Sequence, residues 1–248
     1  MTEPEVEAGW LAPDSVLSLE APAFADACRE LLARPAQSGH LDEKTRALLR
    51  VGLCAQVSFA QPRAVAEHVA SALAAGATPG EVIETLELIC QQGMSTFGLG
   101  IPIVADELRK AGVAVDAAEL DDRQAAVKAT FTTDGPRPRP WGQLFDVVIR
   151  LDPRLFDIIV RFIDAPWATG TLSPKVRELI TVAMDAAPTN RYPDGLRRHV
   201  RKAINEGATA GELLEVLTLA ASTALLTCEL GEPALRDAMA ADAGGRGE

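Results

Sequence analysis

Residues 22–108 recur as residues 153–239 at a single offset of 131, without a gap, and 27 of the 87 pairs are identical. Leu41/Leu172, Lys44/Lys175, Arg46/Arg177, His68/His199, Gly76/Gly207, Thr78/Thr209, Glu81/Glu212, Gly100/Gly231 and Pro102/Pro233 are among them. Self-similarity of this kind constrains the fold before any local pattern does, because it makes the chain two copies of one unit. We therefore divide it into a first repeat (22–108), a connecting segment (109–152) and a second repeat (153–239). The two copies also control for one another. Positions that agree carry the architecture of the unit, and positions that differ in chemical type are where specialised chemistry is expected.

Each copy reads as a run of helices. Between Leu172 and Ala187, apolar residues at 176, 179, 180, 183 and 187 have helical spacing, with Ser173 as N-cap and Pro174 in the first turn. Gly195–Glu206 places Leu196, Val200, Ala203 and Ile204 on one face, and Gly207 is the expected terminator. Thr209-Ala-Gly-Glu212 is a capping box that opens a third helix to about Leu226. The first repeat follows the same plan: 42–56, then 64–75 closed by Gly76, then Thr78-Pro-Gly-Glu81. Between the copies, 122–131 reads as a helix, 132–140 as irregular chain and 141–151 as a helix. The first ~20 residues and 244–248 read as flexible ends. No period-2 alternation of any length occurs, so the predicted fold is all-α.

Aromatic residues make up 4% of the chain and alanines are many, so the core must come from small side chains packed helix against helix. The net charge of −11 argues against nucleic acid, because nothing here would displace counterions from a phosphate backbone. It also repels anionic membranes, so an anionic substrate has to meet a local basic patch. The N-terminus lacks the basic and apolar regions of a signal peptide. The apolar stretch Leu213–Leu226 is too short and too interrupted to span a bilayer. These readings place the protein in the cytoplasm. Cys28, Cys54, Cys90 and Cys228 have no metal-ligand spacing and read as reduced, buried, small hydrophobic residues. No metal site and no cofactor are indicated.

The pattern L-x-x-K-x-R-E-L, a polar turn, then R-x-H-[IV]-R-x-A-x-x-x-G-A-T-x-x-E-[IL]-x-E-V-L stands here as LSPKVRELI and RYPDGLRRHVRKAINEGATAGELLEVL in repeat two. A weaker version, LDEKTRALL and AVAEHVASALAAGATPGEVIETL, stands in repeat one. It resembles the carboxymuconolactone decarboxylase and alkylhydroperoxidase D-like superfamily over about two-thirds of the chain. The resemblance implies an all-helical unit in tandem copies and assembly as a homo-oligomer, a trimer of tandem chains forming a pseudo-hexamer. The superfamily's peroxidase branch carries Cys-x-x-Cys before the histidine. Here those positions are Tyr192 and Gly195, or Gln61 and Ala64, so no thiolate forms and thiol-based peroxide reduction is excluded. The other branch resembles the decarboxylase, which needs neither metal nor organic cofactor.

Divergence between the copies points to repeat two. It carries Glu178 and Asp185, seven residues apart and so on one helix face, where repeat one has Ala47 and Cys54. It continues Thr189-Asn190-Arg191-Tyr192 against Ser58-Phe59-Ala60-Gln61. Tyr192 is the only tyrosine of the chain. Glu178, His199 and Tyr192 are the candidate catalytic residues: a buried general acid/base, a proton carrier and an oxyanion donor. Arg191, Arg197, Asn190 and His68 are the candidate substrate-binding residues, guanidinium geometry suiting a substrate carboxylate. Each has a structural counterpart reading. Glu178 can be a solvated first-turn carboxylate, and His199 a core histidine bonded to Glu178. Asp185 can simply pair with an arginine, and most of the run Arg197, Arg198, Arg201, Lys202 can be a solvated face. Trp141 and Trp167 can wall a pocket or merely pack.

The function read from these residues is a cofactor-independent lyase, decarboxylase-like, or an isomerase, acting on a small carboxylated, enolisable compound such as a lactone or keto acid. The turn around Pro193 and Gly195 is longer than in the decarboxylase, which argues against the muconolactone itself. The alternative is a non-catalytic helical protein of the same fold that binds a small molecule or serves as a scaffold.

Overall fold

The computed structural model describes residues 9–115, 119–129 and 141–245. Among them there is no strand, and the secondary structure is helical, as the repeat pattern predicts. After a 3-10 turn at Gly9–Leu11 come α1 (Val16–Glu20), α2 (Pro22–Ser38), α3 (Glu43–Ala55), α4 (Pro62–Ala74), α5 (Pro79–Cys90) and α6 (Met94–Lys110). They are followed by α7 (Asp122–Ala129), α8 (Trp141–Leu151), α9 (Pro153–Thr169), α10 (Pro174–Ala186), α11 (Pro193–Asn205), α12 (Ala210–Ser222) and α13 (Leu226–Gly245). The pairs α2/α9, α3/α10 and α4/α11 begin and end 131 residues apart. The repeat in the sequence is thus a repeat of helices.

The caps explain the boundaries. Asp42 and Ser173 close the N-termini of α3 and α10 through hydrogen bonds accepted from Thr45 N and Val176 N. In both copies the capping box forms: Thr78 and Thr209 accept from Glu81 N and Glu212 N, and each glutamate accepts from its threonine's backbone N–H at 2.7 Å. Gly76 and Gly207 follow α4 and α11 at φ +88° and +86°, a conformation open to glycine at no steric cost. The 122–131 helix ends at Ala129 within the described residues, while 130–131 and the irregular 132–140 lie outside them.

The chain divides into two compact units, Met1–Ile89 with Leu172–Glu248, and Cys90–Thr171. In the first, α3 packs against α4, α10 against α11, and α3 against α10, with α12 lying across α2, α3 and α10. The pseudo-twofold relation of the copies appears here as two reciprocal ion pairs made to buried glutamates. Arg46 of repeat one meets Glu215 of repeat two at 3.4 Å, and Arg177 of repeat two meets Glu84 of repeat one. The same glutamates accept from the backbone N–H of Leu41 and Leu172, again 131 residues apart, at 3.2 and 3.0 Å. Within each copy, Lys44 and Lys175 hold the capping glutamates Glu81 and Glu212 at 2.7 Å. Identical residues thus repeat identical bonds.

In the second unit, α8 packs on α6, α7 and α9. Val148, Ile149, Phe156 and Ile159 form its core with Met94, Phe97, Ile101 and Leu120 against them. Asp152 caps α9 through Leu155 N, with Pro153 in the first helical position.

Three expectations are corrected. The N-terminal stretch is not a loose end from residue 9 onward. Trp10 and Leu11 are buried with Ala25 and Cys28, Leu17, Leu225 and Cys228 packing on them, and Glu232 accepts from Val16 N at the start of α1. Apolar side chains outside the repeat found a place against the first helix of the repeat and the C-terminal helix. At the other end, residues 244 and 245 belong to α13. The cysteines are all free, but only Cys28 and Cys54 are buried; Cys90 is exposed and Cys228 half-buried. The third helix of each copy runs on through a 3-10 turn. As a result Pro79–Lys110 and Ala210–Asp242 are long and apolar enough to cross a bilayer by length and composition, a longer run than Leu213–Leu226 suggested.

Candidate functional site

Helix α10 is buried along nearly its whole length, from Arg177 to Asp185. The side chains that copy two changed are therefore not surface decoration. Glu178 is 4% exposed and Asp185 2%, which rules out the solvated first-turn carboxylate. Helix α11 packs along α10 and brings its His199 to the Glu178 level. His199 Nδ1 lies 2.6 Å from Glu178 Oε2, and Lys202 Nζ lies 3.6 Å from Oε1. The imidazole side chain retains 12% exposure.

Burial depresses the His199 pKa below its ordinary value, with Arg198 and Lys202 acting in the same direction and Glu178 opposing them. The ring is therefore neutral near pH 7. In that state Nδ1–H donates to the Glu178 carboxylate and Nε2 carries the free lone pair. A carboxylate that fixes the tautomer of a neutral histidine leaves a base at Nε2, and it stabilises the imidazolium once a proton is taken.

Two turns along α10 stands a second polar group. Asn190 Nδ2 donates to Met184 O at 3.1 Å and approaches Asp185 Oδ1 at 3.4 Å, while Asp185 Oδ2 is buried without a hydrogen-bond partner. Burial pushes the Asp185 pKa up to about 7; Arg198 opposes that shift and Glu178 adds to it. This corrects the reading of Asp185 as one half of an arginine ion pair. Gly195, in the first turn of α11, is what makes room. A Cβ there would fall 2.3 Å from Asp185 Oδ2 and 2.3 Å from the Tyr192 ring.

The turn between the helices is held by Arg191 N→Ala187 O at 3.0 Å and Tyr192 N→Asp185 O at 2.9 Å. Arg191 adopts φ +43°, the left-handed region, at a cost of about 1 kcal/mol for a residue with a Cβ. Repeat one keeps the equivalent backbone bond, Gln61 N→Cys54 O at 3.2 Å, but has Cys54, Phe59 and Ala60 where repeat two has Asp185, Asn190 and Arg191. Burial, with Glu229, raises the Cys54 thiol to about 11 against Arg50, so it is an inert apolar filler. Its turn, Val57–Gln61, lines an open depression of about 260 Å³ with Leu226.

Of the residues singled out from sequence, the structure brings Glu178 and His199 into contact, and gathers Asn190 and Tyr192 beside Asp185. Arg191 and Arg197 lie on the exposed outer side of the turn, Arg197 with its guanidinium 3.8 Å from Asp194. His68 is half-buried on α4, at the position equivalent to His199, but the position equivalent to Glu178 is Ala47. Sequence reasoning missed Lys202 and Gly195. Lys202 follows His199 by three residues and so shares its face, a signal hidden by the basic run around it. Gly195 carried no signal until the Asp185 carboxyl was seen beside it.

The model of the carboxymuconolactone decarboxylase family matches residues 153–243, the copy that holds the Glu178–His199 pair. A crystal structure of a candidate gamma-carboxymuconolactone decarboxylase subunit from Burkholderia xenovorans LB400 is 36% identical in sequence. The alignment covers 97% of this chain and 92% of that one, with a TM-score of 0.80. No curated protein matches. Family and neighbour together support a decarboxylase-like lyase at the level of the family. The tandem helical chain, with its one polar copy, belongs to the carboxymuconolactone decarboxylase family.

Proposed function

We propose that the protein is a lyase of the decarboxylase type, or an isomerase, acting on a small carboxylated, enolisable compound such as a keto acid or lactone, by general acid/base chemistry of its own side chains. The observation that carries this reading is the buried 2.6 Å contact of His199 with Glu178, a residue that repeat one replaces with Ala47. In an isomerisation, His199 Nε2 takes the proton α to the substrate carbonyl and returns it at another carbon. In a decarboxylation, the bond to the carboxylate carbon breaks and its electron pair moves into the carbonyl as an enolate. The proton that quenches the enolate comes from His199 Nε2 after the neutral ring has taken one from solvent or from the incoming carboxylic acid, the resulting imidazolium being stabilised by Glu178. Tyr192 is the donor assigned to the enolate oxygen, and Asn190, bonded to Met184 O and Asp185 Oδ1, holds the turn beside it. The exposed guanidinium groups of Arg191 and Arg197 collect the substrate carboxylate at the rim. His68 is assigned a contact from repeat one.

We assign the exposed apolar positions of α5, α6, α12 and α13 to subunit contacts of a homo-oligomer, a trimer of tandem chains, rather than to lipid, and place the protein in the cytoplasm. Equivalent positions stay exposed and apolar in both copies: Leu99 at 72% and Leu230 at 60%, with Ile83/Leu214 and Val104/Leu235 behaving alike. A stoichiometry of three in detergent-free buffer supports this; a monomer under those conditions contradicts it.

The function is tested by offering small α- and β-keto acids and lactones. CO₂ release and exchange of the α-proton in D₂O are followed with the wild-type protein and with Glu178→Gln and His199→Gln. The lyase or isomerase reading predicts turnover that falls by about 100-fold or more in either variant. Ligands that bind without reacting would instead favour the non-catalytic binding protein.

A further inference from the structure

The Glu178–His199 pair does not use the second carboxyl of α10, and that group is the least expected in the molecule. Asp185 sits where repeat one has a buried thiol, and its Oδ2 is sealed from water with no hydrogen-bond partner. The slot it occupies exists because residue 195 is glycine; the equivalent Ala64 of repeat one would project its Cβ into the carboxyl. Copy two therefore differs from copy one by a matched pair of changes, a carboxyl on α10 and the removal of a Cβ on α11. Buried polar groups without a partner are costly and rare, so a slot shaped for one calls for a reason.

The surroundings supply it. The Asn190 amide reaches only Oδ1, and at 3.4 Å. The Tyr192 ring and the Gly195 backbone close the other side. The charges that act on the group are Arg198 on α11 and Glu178 on its own helix, and Glu178 is the residue that holds His199 and Lys202. Nothing here neutralises a carboxylate by direct contact, whereas a bound proton does. We propose that Asp185 is a positioning residue of this site: a carboxylic acid that keeps its own proton in the Gly195 slot, and whose loss of that proton adds a second negative charge two turns from Glu178 on the same helix and so makes His199 more basic. His199 then works under one carboxylate charge in acid and two in base, and the basicity of Nε2 rises with pH instead of being fixed. The inference rests on the reading of Glu178 and His199 as the site, but its test needs no substrate, so it can fail while that reading stands.

The test is a titration of the intact protein. Infrared spectra in D₂O from about pH 5 to about pH 9 should show the carbonyl band of a buried carboxylic acid, lost with a midpoint near 7 and absent in Asp185→Asn. The chain has three histidines, so the His199 ring signals can be assigned by NMR with His199→Gln. They should show a second inflection at the same midpoint, passed on through Glu178. That inflection should vanish in Asp185→Asn and in Asp185→Cys, which installs the residue of repeat one and guards against a misfolded Asn variant. A purely structural Asp185 would leave the His199 curve unmoved. The proposal is overturned by the absence of the band in acid, by its survival in Asp185→Asn, or by identical His199 curves in wild type and both variants.

Discussion

Repeat one and repeat two are built from the same bonds and differ in what they enclose. Arg46–Glu215 and Arg177–Glu84 join the copies reciprocally, and Lys44–Glu81 and Lys175–Glu212 brace their capping boxes identically. At the helix pair that carries the conserved-in-both histidine, however, repeat two has Glu178, Asp185, Asn190, Tyr192 and Gly195 where repeat one has Ala47, Cys54, Phe59, Gln61 and Ala64. The lesson is that identity between the copies reports load and difference reports chemistry. An ion pair required by the fold appears twice, whereas the carboxylate of the Glu178–His199 contact is replaced by Ala47 in the other copy.

The comparison can be broken most severely through activity. His199→Ala should lower turnover by about 100-fold or more, while His68→Ala, at the equivalent position, should cost no more than severalfold, chiefly in KM. Steady-state kinetics of the two variants side by side decide it; equal losses would make the site a composite of both copies.

Next in size are the shared ion pairs. Glu84→Ala and Glu215→Ala each remove the buried carboxylate of such a pair, and each should destabilise the fold by about 3–5 kcal/mol in denaturant unfolding. Similar losses are predicted, because the pairs are related by the repeat. A loss confined to one would show that the symmetry of the bonds is not a symmetry of energy.

The pH dependence of stability sharpens the contrast further. Asp185 has a folded pKa raised from 3.8 to about 7, so it favours folding fully below its unfolded value, and that contribution is lost as pH rises through about 7. Relative to Asp185→Asn, the wild type should lose on the order of 2–4 kcal/mol between about pH 4 and about pH 8. Parallel melting temperatures for the two proteins across that range would show that the carboxyl does not hold its proton in the fold. The smallest effect belongs to the caps: Thr78→Ala and Thr209→Ala should each cost about 1 kcal/mol, and by equal amounts.

Much of this architecture was legible in the sequence because it is local. Ser173 before Pro174, Gly207 after α11 and the Thr209–Glu212 box each act within a few residues, and the offset of 131 carried them from one copy to the other. The Glu178–His199 pair was legible as a pair, since a carboxylate and an imidazole in one repeat stood against alanine and histidine in the other. What escaped depends on contacts between distant parts of the chain. Glu84 and Glu215 are identical across the copies, yet their reciprocal pairing follows from how α3, α10 and α12 meet. Trp10 and Leu11 lie outside the repeat, so nothing in the self-comparison could give them a place. The Gly195 slot depends on a carboxyl ten residues earlier, and Lys202 was masked by neighbouring cations that face solvent.

The most direct test of the central claim is the α-proton exchange of small keto acids in D₂O, measured for wild type, His199→Gln and His68→Gln under one set of conditions. The account predicts exchange by the wild type, a loss of about 100-fold or more in His199→Gln, and retention in His68→Gln. Exchange that survives unchanged in His199→Gln would contradict it and move the chemistry away from the Glu178–His199 pair.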